Sequence, residues 1–132
     1  MEEKVYVELT KEAKSEDKVT VILTNEANAI ADQIALLGFF EDKMDIAKFA
    51  FAYAVKHELD KQVSNISIGE GRGASWNIGS LDADQYLVSV VKTLFPDVEA
   101  PYRLIELLMN VGLISLGKVI EENGLSGISE FL

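Results

Sequence analysis

The only histidine in this chain, His57, is the one side chain whose ordinary pKa suits it to proton transfer near neutral pH. A serine–histidine–aspartate triad needs it beside a nucleophile, yet no Gly-x-Ser-x-Gly elbow accompanies it. Its place near the end of a helix pattern favours a helix-terminal cation or a packed ring. Gly69-Glu70-Gly71-Arg72-Gly73 has the glycine content of a phosphate loop, since glycine lets backbone N–H groups approach an anion. It matches neither GxxxxGK(S/T) nor GxGxxG, so a turn-forming loop is the better reading. Asp82 with Asp84, and Glu41 with Asp42 and Asp45, bring oxygens for a hard cation without the further ligands of a calcium loop. Helix capping and the helix dipole account for both groups. With no cysteine to act as nucleophile or metal ligand, the expectation is a protein with no catalytic centre, metal or cofactor.

The remaining chemistry is recognition. In the alternating segment Lys18–Thr24, Val19, Val21 and Leu23 share one face and Lys18, Thr20 and Ile22 the other. Thr24 or Asn25 then caps a helix whose stripe is Ala27, Ile30, Ala31, Ile34 and Leu37, with Gly38 as its stop. Asp42 caps a second helix, and Met44 to Leu59 is apolar on nearly all sides. Strand, helix, tight break and helix is the ribbon-helix-helix order, and residues 18–59 resemble that class. Repressors of the class insert the polar strand face into the major groove, where it reads base edges. Here that face would present Lys18 and Thr20, joined by Lys43 and Arg72 as the other basic contacts, while Ile22 fits poorly. A lone strand cannot satisfy its own backbone groups, which predicts pairing with a second chain. The second helix, lacking a polar face, predicts burial in a homo-oligomer, a dimer or tetramer. Its interface would use Val19, Val21, Leu23, Phe49 and Tyr53.

Charge limits the nucleic-acid reading. The net charge is −10, and residues 1–61 carry eight Lys/Arg against thirteen Asp/Glu while residues 62–132 carry four against nine. Each half is therefore −5, and any DNA contact must be a small local patch with weak overall affinity. Acidic helix-start residues Glu41, Asp42 and Asp45 would repel a phosphate at the second helix. The N-terminus shows no basic region followed by an apolar run, and no stretch is long enough to span a bilayer. A cytoplasmic location without membrane contact is the expectation.

The 132 residues read as a single domain. Residues 1–17 hold an extra strand candidate, Lys4–Thr10, which is either a hairpin partner of Lys18–Thr24 or a chance echo of it. Residues 60–80 form a glycine-rich loop with Gly69, Gly71, Gly73 and Gly79. Residues 81–132 read as a helical part: a third helix from Ser80 or Asp82 through Phe95, stopped by Pro96, and a fourth over Tyr102–Asn123 with Gly124 as C-cap. Gly112 and Gly117 inside the fourth helix each cost about 1 kcal/mol relative to alanine, which points to close approach by another backbone and adds both to the expected oligomer interface. The fold class is thus mainly α: a ribbon-helix-helix-like core followed by two further helices, in an oligomer.

Trp76-Asn77-Ile78-Gly79-Ser80-Leu81-Asp82 entering a helix, and Asn110-Val111-Gly112-Leu113-Ile114-Ser115-Leu116 followed by an apolar tail, resemble the DndE family of small accessory proteins of bacterial DNA phosphorothioation. The resemblance covers most of the chain and rests on pattern more than motif. It implies a tetrameric, non-enzymatic protein associated with DNA, including nicked duplex. The basic residues expected near the loop and last helix reduce here to Arg72, Arg103 and Lys118, which puts DNA binding in doubt. The resulting expectation is a non-enzymatic, homo-oligomeric accessory or regulatory protein of a DNA-related system such as DNA sulfur modification. A protein–protein interaction adaptor without nucleic-acid contact is the alternative.

Overall fold

The computed structural model describes residues 17–65, 68 and 73–132. Strand β1 (Thr20–Ile22) leads into helices α1 (Asn25–Ala35) and α2 (Lys43–Lys56), then a 3-10 segment (Leu59–Asn65). Strand β2 (Ser75–Asn77) follows, with helices α3 (Ile78–Leu81), α4 (Tyr86–Leu94) and α5 (Pro101–Asn123) and a final 3-10 segment (Leu125–Phe131). The chain is mainly helical with one small antiparallel sheet. Lys4–Thr10 lies outside the described residues.

Every residue of α5 from Leu104 to Leu113 is buried, so this helix is the axis of the core. A helix apolar on all sides must be enclosed, and α1, α2, α4 and β1 enclose it. The sequence predicts such all-round burial, in an oligomer, for the second helix. Instead α2 buries one face, Ile46, Ala47, Ala50, Phe51 and Ala54, and leaves Ala52 and Lys56 exposed. Its alanines permit a close crossing with α5. A Cβ on Gly112 would sit 2.2 Å from the Ala50 carbonyl oxygen, so only glycine allows the two backbones to meet there. Gly117 is different: a Cβ there would meet the Ile30 Cδ1 at 2.5 Å, a side-chain tip rather than a backbone. Both close approaches are made within the chain.

The lone strand finds its partner in the same chain. β1 pairs antiparallel with β2 in the register Thr20–Asn77, Val21–Trp76 and Ile22–Ser75. The ladder extends through Leu23 N–H to Ala74 O (2.9 Å), Gly73 N–H to Leu23 O (3.1 Å) and Ile78 N–H to Val19 O (3.1 Å). A Cβ on Gly73 would fall 2.6 Å from the Leu23 oxygen, which gives this glycine of the loop its structural reason. The other edge of β1 meets α5. The Ile22 N–H donates to Glu106 Oε2 (3.0 Å), the Thr24 N–H to Asn110 Oδ1 (2.8 Å), and Asn110 Nδ2 to the Ile22 carbonyl (3.0 Å). Around Ile22–Thr24 both edges are taken, so the unpaired-strand argument for a second chain does not stand.

The helix ends follow their caps. The Ala27 N–H donates to Thr24 Oγ1 (3.0 Å) and the Asp45 N–H to Asp42 Oδ1 (2.9 Å), as the sequence predicts. The expected single helix over 80–95 is instead broken at Asp82. That carboxylate is buried and accepts from the Leu87 N–H (2.8 Å) and Val88 N–H (3.1 Å) across a turn that ends with Gln85 at φ +59°. α5 has Ala100 at its N-cap, which offers no side-chain cap. Asp17 supplies it, accepting from the Tyr102 N–H (2.8 Å) and the Arg103 N–H (3.0 Å).

Candidate functional site

The residues expected to contact nucleic acid are not gathered into one basic face. Lys18 turns its ammonium onto Glu106 Oε2 at 2.7 Å, and Glu106 itself is fully buried in α5. A buried carboxylate needs such a partner, because an uncompensated charge in the core is costly. Among the described residues Glu106 Oε1 has no hydrogen-bond partner, so Lys18 and the Ile22 amide together serve one oxygen of the group. Lys43 is likewise engaged, pairing with Asp32 at 2.6 Å and donating to Asn28 Oδ1 at 3.1 Å. The same Asn28 oxygen accepts the Ala74 N–H (2.9 Å), tying α1 to the approach to β2. Thr20 is half-buried on the outward face of the sheet opposite Asn77. Arg72 lies outside the described residues.

The expected interface residues divide by burial. Val21 and Leu23 are fully buried in the chain's own core, whereas Val19, at a bend before the strand, is 68% exposed. The alternation therefore ends at Thr20, and Val19 does not share the face of Val21. Phe49 is half-buried against Phe40, with ring centroids 5.3 Å apart. Tyr53 is half-buried under the carboxy-terminal segment, where Phe131 meets it edge-on at 5.1 Å.

His57 joins that aromatic group, 4.3 Å from the Tyr53 ring and 5.8 Å from the Phe131 ring. The ring is nevertheless exposed at the C-cap of α2, so His57 takes the helix-end position its place in the sequence suggested and is not packed in the core. Asp82 and Asp84 act as caps, the latter accepting the Tyr86 N–H at 3.1 Å. Asp82 Oδ2 also accepts the Tyr102 hydroxyl at 2.7 Å. Burial, then that hydrogen bond, pushes the Tyr102 phenol up to about 12, since loss of its proton would place a second negative charge beside the carboxylate. Among the described residues no group of three His, Asp or Glu side chains could hold a metal ion, and no helix is long and apolar enough to cross a membrane.

A different feature offers a surface for binding. α2 and α4 both lie on α5 but touch each other little, and a furrow of about 370 Å³ runs between them. It is lined by Phe51, Ala52 and Val55 of α2 and Leu87 and Val90 of α4, with Lys48 and Lys56 contributed by α2 and Tyr86 by α4. Tyr86 is 67% exposed, and Leu94, two turns further along α4, is 50% exposed. The sequence concealed this surface by spreading it over two segments thirty residues apart. The one local signal was the acid-free run Tyr86–Leu94 with Lys92.

Comparison with protein families, with curated proteins and with solved structures finds no match for this chain.

Proposed function

We propose that this protein is a non-catalytic adaptor that binds another protein and does not depend on nucleic-acid contact. One observation carries the reading: Lys18 and Lys43, the described basic residues of the expected DNA-reading patch, are each neutralised by an acid of the same chain. DNA affinity comes largely from lysine and arginine releasing counterions from phosphates, and a lysine already paired has little left to contribute. The exposed apolar furrow supports the reading from the other side, because a surface patch of that kind marks a contact site more often than a catalytic one. The accessory role in a DNA-related system then comes through the protein partner, and homo-oligomerisation is an additional property to be measured rather than the source of the fold.

Two measurements test this. Fluorescence anisotropy with intact and nicked duplexes across a salt series should show weak or undetectable binding at physiological salt. Photo-cross-linkers placed at exposed positions on α1, α2 and α4 should give protein adducts in cells and no DNA adducts. Tight duplex binding with a steep salt slope, or adducts to DNA alone, would overturn the proposal.

A further inference from the structure

Resting on that adaptor reading, we infer that the furrow between α2 and α4 receives an acidic amphipathic helix of a partner protein. Shape is the first argument. Two helices that both lie on α5 and touch each other little leave an apolar furrow whose α2 wall runs from Lys48 to Lys56, and a third helix is a rod that can lie along that wall. Along α2 the channel is lined at Lys48, Phe51, Ala52, Val55 and Lys56, the spacing of one helix face. A partner helix lying alongside would present apolar anchors at similar intervals.

Charge is the second argument. α2 carries Lys43, Lys48 and Lys56 against Asp45, and α4 carries Lys92 and no acid, so these two helices hold +3 in a chain of −10. Lys43 is engaged by Asp32, whereas Lys48, Lys56 and Lys92 make no ion pair among the described residues. Two of those three line the furrow itself. They are eight residues apart, about 12 Å along the helix axis. A matching partner would carry carboxylates about two turns apart beside its apolar stripe, and each would meet a lysine at the rim of an apolar, partly desolvated channel.

The test uses a fluorescein-labelled eighteen-residue helical peptide with leucine at intervals of three and four and glutamate at the flanking positions, and a counterpart with lysine in place of glutamate. Anisotropy titrations should show the wild-type protein preferring the glutamate peptide by about tenfold or more, a preference that weakens with salt. Lys48→Glu with Lys56→Glu should reverse the order of the two peptides. Val90→Asp should weaken both by about tenfold. The wild-type comparison stands without any variant folding, and circular dichroism melts check the variants. Absence of the preference in the wild type, or its persistence in the double variant, would overturn the inference. A wild-type dimer by light scattering that Val90→Asp dissolves would assign the furrow to a second copy and overturn it too. If the peptides fail while cross-linked proteins map to another face, the adaptor reading survives and the furrow assignment alone falls.

Discussion

Replacing Gly112 by alanine sets two effects of known sign against each other. Helix propensity favours alanine by about 1 kcal/mol in a helix interior. Against that, the new methyl would lie 2.2 Å from the Ala50 carbonyl oxygen and 2.9 Å from its carbon, both backbone atoms of a packed helix. Neither can turn aside, so α2 and α5 must separate by about 1 Å along a face where Ala47, Ala50 and Ala54 are fully buried. Overpacking of this kind costs about 1–3 kcal/mol, and separation also loosens contacts beside the crossing. The net expectation is a loss of about 1–2 kcal/mol, or roughly 3–10 °C in melting temperature for a chain of this size. Gly117→Ala is the control. Its methyl would meet the tip of Ile30, which can change rotamer for about 0.5–1.5 kcal/mol, nearly balancing the propensity gain. Urea denaturation of both variants, compared at constant slope, decides the matter. A Gly112→Ala protein as stable as the wild type, or equal losses at the two positions, would refute the reasoning.

Three further outcomes are expected. Asp17→Ala removes the cap of α5 and should cost about 0.5–2 kcal/mol in a urea melt, whereas Asp17→Asn, which keeps a side-chain acceptor, should cost less. Glu106→Leu orphans the Ile22 amide and should be about 1–3 kcal/mol less stable than Glu106→Gln, which keeps an acceptor; equal stabilities would mean that the strand edge does not depend on this side chain. Tyr102 should titrate near pH 12 by ultraviolet absorbance, and Tyr102→Phe should remove that step. Because its folded pKa is raised above the ordinary 10.0, the stability it contributes is complete below pH 10 and is lost as pH rises through about 12.

The local punctuation of the fold was legible in the sequence. Thr24, Asp42 and Gly124 stand where caps were expected, and α1, α2 and α5 follow their apolar patterns closely. Periodicity reports which face of an element is apolar, but not whether the cover comes from the same chain. That is why the apolar α2 suggested an oligomer and Val21 and Leu23 an interface. β2 is three residues, Ser-Trp-Asn, too short for any alternation to show, and without it β1 looked unpaired. The break at Asp82 escaped because the acid caps amides five and six residues ahead instead of the usual two or three. Asp17 and Glu106 act on partners more than eighty residues away, a distance at which no spacing rule operates. The furrow likewise exists only once α2 and α4 are laid on α5.

The fastening of β1 also bears on how the protein is made. Asn110 lies 88 residues beyond the Ile22 carbonyl to which it donates. At about 5–20 residues per second, the ribosome emits the strand roughly 4–18 seconds before its second edge can close. During that interval α1 and α2 have no central helix to rest on, and the nascent chain presents an open strand edge beside two apolar faces. Until α5 is made the amino-terminal half therefore keeps apolar surface uncovered, and its native state waits on the synthesis of that helix.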